Sequence, residues 1–236
     1  YVEPRSGSDV VLTLDMDVQK AAEESLVKVA EYQQKAGYSA TGACAVAIDC
    51  TNGEVIAMAS YPTYNPSIFV GGISTSDWES LQSEEANYTL MNRAISGQYP
   101  SGSIIKSLTT LAALSYGIAT ASSSWYCTGW WTGFGDAYPM KCWWTTGHGE
   151  MNLVTGITYS CDVVFYEIGK GFYYDQDHPE GMQDTFKKFG LGSLTGIDLP
   201  SEVEGRVPDA DWKWNYWSSA TDEQRTWQGG DNCNLA

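Results

Sequence analysis

The spacing of apolar and polar residues divides the chain into a short series of elements. Residues 1–11 read as extended and lead into the apolar stretch Val10-Val11-Leu12-Thr13-Leu14. Asp15 or Asp17 can cap a helix whose apolar stripe runs Val18, Ala22, Leu26, Val29 and Tyr32, and Gly37 supplies a stop. Two apolar runs, residues 43–49 and 54–60, flank Asn52-Gly53 and predict a β-hairpin. An irregular exit follows at residues 61–66, and residues 67–98 read as loops with short helices. Pro100 and Gly102 then mark a turn, after which apolar positions recur at helical spacing as far as Gly117. Residues 121–150 are rich in Trp, Gly and Thr with little periodicity. Short helices are expected over Asn152–Tyr159 and Asp162–Gly169, and a further one over 182–189. The tail from Pro208 is polar and tryptophan-rich, with no closing element. No repeat or linker interrupts this order, which suggests an α+β or layered α/β domain.

Composition narrows the chemistry. The 236 residues suffice for one large domain or two small ones, and 43% hydrophobic with 13% aromatic residues argues for a packed interior. Twenty-nine acidic against thirteen basic residues give a net charge of −16, which excludes nucleic acid and anionic membrane as natural partners. No apolar run is long enough to span a bilayer and no signal peptide is visible, although an anchor or export signal could precede Tyr1. Six cysteines leave the redox compartment open.

Two groups of residues could carry chemistry. Ser103-Ile104-Ile105-Lys106 places a hydroxyl and an ammonium three residues apart at a helix start, on one face. A serine attacks only if a neighbouring base takes its proton, and a desolvated lysine can be that base. Free N–H groups of the helix start can steady an oxyanion. A plain helix start explains the same four residues. The second group is Cys127, Cys142, His148 and Cys161, spaced C-x14-C-x5-H-x12-C. Three thiolates and an imidazole make a closed tetrahedral zinc set, though the spacing matches no common finger; a Cys127–Cys142 disulfide is the alternative.

Taken together, several stretches resemble one family. Tyr99-Pro100, Gly102-Ser103-x-x-Lys106 and Ser160-x-Asp162 are similar to the first two active-site motifs of penicillin-binding transpeptidases. The segments at 53–62 and 92–94 resemble framing segments of the class B enzymes. Residues 69–74 and 195–200 resemble the elongation-specific penicillin-binding protein 2 group. The resemblance covers nearly the whole chain and implies an α+β, layered α/β/α fold shared with serine β-lactamases. It implies a peptidoglycan D,D-transpeptidase held at the extracytoplasmic face of the cell membrane, acting on stem peptides, trapped by β-lactams and working beside a membrane glycosyltransferase. Ser103 would be the nucleophile, Lys106 its base, Ser160 a proton relay, and Asp162 a substrate and lysine contact. A β-lactamase-like hydrolase or a non-catalytic penicillin-sensing domain is the alternative.

Two departures from the family stand out. Most transpeptidases carry Asn at the place of Asp162, and a carboxylate there would favour a charged Lys106. It must then be hydrogen-bonded elsewhere, protonated, or turned to substrate. The family's third motif, Lys-Thr/Ser-Gly, does not occur in the sequence. Residues 1–236 are therefore expected to be a partial transpeptidase domain, without the anchor and dimerisation region and without the strand bearing that motif. Some relatives in the elongation group carry an Asp, Asp, His, Cys zinc site near the serine. The resemblance implies the same site here, with Cys127 and Cys142 in place of both Asp residues, so that structural zinc would pin the Ser160–Asp162 loop. Among the remaining residues, Cys44 and Cys50 are expected as buried small apolar groups, Cys233 is uninformative, and His178 is expected to be solvated. Trp130, Trp131, Trp143 and Trp144 are expected to pack a loop rather than line a groove.

Overall fold

The computed structural model describes residue 3 and residues 6–236; positions 1, 2, 4 and 5 of the expected extended segment lie outside the described residues. Its contacts group into two units, residues 1–98 with 198–203, and residues 99–197 with 204–236.

In the first unit, residues 6–15 form no strand, and Val10 and Val11 are exposed. Helix α1, Met16–Lys35, starts at Asp15, whose carboxylate accepts the amides of Asp17 and Val18, and ends before Gly37 at φ 87°. Its inward face differs from the expected stripe. Gln19 and Ala30 are buried with Ala22 and Leu26 partly so, while Val18, Val29 and Tyr32 face solvent. The reason is a two-way bond between the Gln19 amide and Met58 of the sheet, which accepts at 3.0 Å and donates at 2.8 Å. Burying a polar group that satisfies two backbone atoms outweighs the apolar side chains left outside. Strands β1, Ala43–Ile48, and β2, Val55–Tyr61, form the expected antiparallel hairpin, with Gly53 at φ 83°. Strand alternation places Cys44 on the outer face beside Val46 and Ile48. Cys50 follows beyond the strand end, so both cysteines are exposed rather than buried. Helices α2, Thr75–Gln82, and α3, Arg93–Ser96, fall within the region expected to hold loops and short helices.

The second unit opens with one 3-10 turn, Gly102–Ile105, that runs directly into helix α4, Lys106–Ser115. Residues 121–150, patternless in sequence, hold four short strands. Strand β3, Ser124–Cys127, will pair with the last of them; β4, Trp130–Trp131, pairs with β5, Met140–Lys141; and β6, Gly149–Asn152, closes on β3. Helix α5, Leu153–Thr158, begins at Asn152 through a reciprocal capping box with Thr155. Helix α6, Asp162–Tyr174, and α7, Gly181–Lys188, supply Phe165, Ile168, Phe172, Met182 and Phe186 to the core, with Ala112 and Ala113 of α4. Each fully buried phenylalanine contributes about 1.5–3 kcal/mol of transfer free energy. The tail is helical, contrary to expectation: α8, Ala210–Tyr216; α9, Asp222–Arg225; and α10, Gly229–Leu235. Helix α10 lies against α6 at Gly169, where a Cβ would come within 2.7 Å of the Asn232 carbonyl oxygen. Cys233 is buried there, with Sγ 3.4 Å from the Tyr166 carbonyl. Among the described residues no helix is long and apolar enough to cross a membrane.

Candidate active site and metal-binding cluster

Ser103 is the second residue of the 3-10 turn that leads into α4, and Lys106 is the first residue of α4. Side chains three residues apart eclipse one another on such a turn, so hydroxyl and ammonium share one side. Ser103 is exposed, whereas Lys106 is 6% exposed. The apolar setting of the lysine comes from Phe165, whose ring centre is 5.0 Å from Nζ, and not from Ile104, which faces solvent.

The Lys106 ammonium has three donors and meets three acceptors. These are the Ser160 carbonyl at 3.0 Å, Ser160 Oγ at 3.1 Å and Asp162 Oδ1 at 2.6 Å. The structure therefore brings the Lys106, Ser160 and Asp162 side chains together. Asp162 is only partly turned elsewhere, contrary to expectation: one oxygen pairs directly with Lys106, the arrangement that favours the charged lysine, and the other accepts the Trp143 amide at 2.8 Å. Ser160 lies in the turn between α5 and α6 with φ 51°, a left-handed conformation that serine seldom adopts and that costs about 1–3 kcal/mol.

Behind that turn, Cys127 at the end of β3, Cys142 after β5, His148 before β6 and Cys161 before α6 converge. Their ligand atoms all lie within 4.8 Å of one another, forming a set that could hold a metal ion. His148 Nδ1 is 3.6 Å from the sulfurs of both Cys127 and Cys142. All three cysteines are buried, free thiols. Burial pushes the Cys127 thiol up, but amides of His148 and Gly129 aimed at its sulfur prevail and bring it below the ordinary thiol range. Burial dominates at Cys161, pushed up to about 12 although the Val164 amide also faces its sulfur. Two glycines allow the loops to close. A Cβ on Gly129 would lie 2.0 Å from the Thr145 carbonyl oxygen, and one on Gly147 would lie 2.5 Å from that of Cys127.

These features have counterparts in known proteins. Residues 43–224 match the penicillin binding protein transpeptidase domain. The chain belongs to the penicillin-binding protein transpeptidase family. The peptidoglycan D,D-transpeptidase MrdA of Acinetobacter baumannii is 38% identical over 211 residues, covering 89% of this chain and 29% of its own length. MrdA of Escherichia coli is 32% identical over 230 residues, covering 98% of this chain and 32% of its own. The chain thus spans about a third of the curated relatives it matches. Among solved structures, Pseudomonas aeruginosa PBP2 superposes with a TM-score of 0.77 at 30% identity, covering 97% of this chain and 47% of that one. Helicobacter pylori PBP2, solved with MreC, gives 0.76 at 32% identity, covering 93% and 37%. The α+β penicillin-binding fold read from the sequence is the fold of these neighbours.

Several parts of this penicillin-binding domain were missed in the sequence. Tyr166, one turn of α6 beyond Asp162, donates to the Lys141 carbonyl at 2.9 Å, and burial, with the Asp162 charge, pushes its hydroxyl up to about 12. Trp143 also binds back to the second motif, its indole donating to the Tyr159 carbonyl at 2.9 Å. Position next to a candidate ligand was the only available signal for Trp143. Of the four tryptophans expected to pack, only Trp131 is buried, its indole donating to Glu167 at 2.6 Å. Trp130 and Trp131 help line a cleft of about 290 Å³ with Trp125 and Glu167. His178 is only half solvated, since it binds Asp175 at 3.1 Å and packs on Tyr116.

Proposed function

We propose that the chain is part of a peptidoglycan D,D-transpeptidase of the elongation type, with Ser103 as its acyl-forming nucleophile. The observation that carries this reading is the buried Lys106 ammonium held by Ser160 and Asp162, one 3-10 turn from an exposed serine. For the attack, Lys106 gives a proton to the Asp162 carboxylate 2.6 Å away, and the amine so formed accepts the Ser103 hydroxyl proton while Oγ bonds to the D-Ala–D-Ala carbonyl carbon. The C–N bond then breaks. Lys106 passes a proton to Ser160 Oγ, and Ser160 gives its own to the departing amine. An amine of a neighbouring stem peptide attacks the ester, and its proton returns to Ser103 Oγ. A β-lactam has no departing fragment to leave the site, so its ester persists.

The cysteine–histidine set suits zinc. Zinc bound at about 2.3 Å to sulfur and about 2.0–2.1 Å to nitrogen, with tetrahedral angles, separates the two by about 3.6 Å. Both His148–sulfur distances have that value. Amides of His148 and Gly129 directed at the Cys127 sulfur suit a thiolate there. Cys127, Cys142, His148 and Cys161 would hold the ion with no position left for water, and its contribution is folding energy for the loop behind Ser160. Membrane anchorage and a glycosyltransferase partner belong to the same reading. The polymerizing partner is supported by a structural neighbour from a peptidoglycan synthase complex that coordinates polymerization and crosslinking.

The test uses the polypeptide made from the complete gene. A fluorescent penicillin should label it once, at Ser103, with slow loss of label and with cross-linking of stem peptides in its absence. Labelling of Ser103→Ala, or rapid turnover of the penicillin, would overturn the transpeptidase reading. Elemental analysis should find one zinc per chain; absence of metal together with a Cys127–Cys142 disulfide in the nonreducing peptide map would overturn the zinc assignment.

A further inference from the structure

We infer that Trp143 is a positioning residue that staples the left-handed turn at Ser160 and thereby sets Ser160 and Asp162 on the lysine. Trp143 is joined to both sides of that turn. Its indole N–H donates to the Tyr159 carbonyl just before Ser160, at 2.9 Å, and its backbone N–H donates to the Asp162 carboxylate just after, at 2.8 Å. Between these anchors Ser160 is held at φ 51°. In that conformation both its carbonyl and its hydroxyl reach Lys106 Nζ, at 3.0 and 3.1 Å. An unsupported serine would relax to negative φ and turn one or both groups away from the lysine.

Burial does not explain the tryptophan, because its side chain is largely exposed. Its segment is also fixed from the other side: Tyr166 of α6 holds the Lys141 carbonyl at 2.9 Å. Residues 141 and 143 are therefore both bonded to α6, through groups four residues apart on one helix face. These bonds tie the loop to the second motif independently of any ion held by the neighbouring Cys142. The hydrogen bonds of Trp143 go to Tyr159 and Asp162, so its influence passes through the turn that holds Ser160.

The inference rests on Ser103 being acylated, and the experiment separates the two. Trp143→Phe keeps a ring and the backbone amide but removes the indole donor. In the polypeptide from the complete gene, it should slow the covalent step of penicillin acylation by about tenfold, the worth of one lost hydrogen bond. The preceding non-covalent affinity and the zinc content should stay at wild-type values, and the melting temperature should fall by no more than about 2–4 °C, the shift that one lost hydrogen bond is worth. In a Ser160→Gly background, where glycine adopts positive φ freely, the same substitution should change the residual rate less than twofold. An unchanged covalent step in Trp143→Phe overturns the inference while leaving the Ser103 reading intact. A loss that only tracks lost zinc or a melting-temperature drop beyond that range, or one of equal size in the Ser160→Gly background, overturns it as well. Wild-type protein that forms no adduct overturns the Ser103 reading and this inference with it.

Discussion

Asp162→Asn tests how the second motif is held, because it restores the residue most transpeptidases carry while changing few atoms. An ionised carboxylate accepts at both oxygens, and here both are used, Oδ1 by Lys106 at 2.6 Å and Oδ2 by the Trp143 amide at 2.8 Å. An asparagine side chain has one acceptor and one NH₂. Facing its oxygen to Lys106 sets the NH₂ against the Trp143 N–H; the opposite flip sets it against the ammonium. Either way one donor loses its acceptor, and a hydrogen bond involving a charged group is worth about 1.5–3 kcal/mol. The lysine side chain is 8% and the aspartate 22% exposed, so water replaces the lost partner poorly. A loss of about 2 kcal/mol should lower the melting temperature by about 4–8 °C for a chain of this size. Thermal unfolding followed by circular dichroism, with zinc content checked in the same samples, reads the shift. Acylation should slow as well, since the asparagine cannot hold both the turn and the lysine. A variant that melts within 1 °C of wild type and acylates at its rate would refute the two-acceptor argument.

Two further outcomes follow from local geometry. Gly147→Ala places a Cβ 2.5 Å from the Cys127 carbonyl oxygen at φ 83°, whereas Gly135→Ala, at φ 100°, meets nothing within 4 Å. Both suffer the left-handed penalty of about 1–2 kcal/mol, but only the first should also lose more than half of its bound zinc, read by elemental analysis; equal retention in both would contradict it. Burial pushes the Cys233 thiol up to about 12, so at pH 8 about one molecule in ten thousand carries the thiolate, while Cys44 and Cys50 are exposed. An alkylating reagent at pH 8 should modify Cys44 and Cys50 and spare Cys233 until denaturant is added. Because the folded state keeps this proton where the unfolded state releases it, Cys233 should make stability fall as pH rises from about 9 towards 12. Prompt labelling of Cys233 in the native protein would contradict its burial.

What the sequence disclosed was set by short-range chemistry. Asp15, Gly37 and Asn152 act on backbone groups within a few residues, so the ends of α1 and the start of α5 could be read directly. The hairpin around Asn52-Gly53 is equally local. The candidate site was legible in part because Ser103 and Lys106 share one turn, and the thiols and imidazole announce their chemistry by type alone. The misreadings came from partners distant in the chain. The inward face of α1 was chosen by Gln19 meeting Met58, thirty-nine residues away, against the apolar stripe. The strands of 121–150 escaped notice because β4 and β5 have two residues each, too few to show alternation, and β3 finds β6 only across the cysteine loops.

The strained turn at Ser160 shows why the second motif cannot be understood from its three residues alone. Nothing in Ser160-Cys161-Asp162 favours positive φ, and a left-handed serine persists only where its surroundings overdetermine it. Those surroundings come from separate segments. The Gly156 carbonyl accepts the Cys161 amide at 2.9 Å, Lys106 of α4 takes two Ser160 oxygens, and the loop after β5 supplies both Trp143 donors. Cys161 adds its sulfur to the cluster immediately behind. In our proposal, zinc is one of several restraints on the same backbone bend, so its removal should loosen Ser160 without freeing it. Graded slowing of acylation on chelation, rather than complete loss, is the consequence, and loss of Trp143 together with the metal should exceed either change alone.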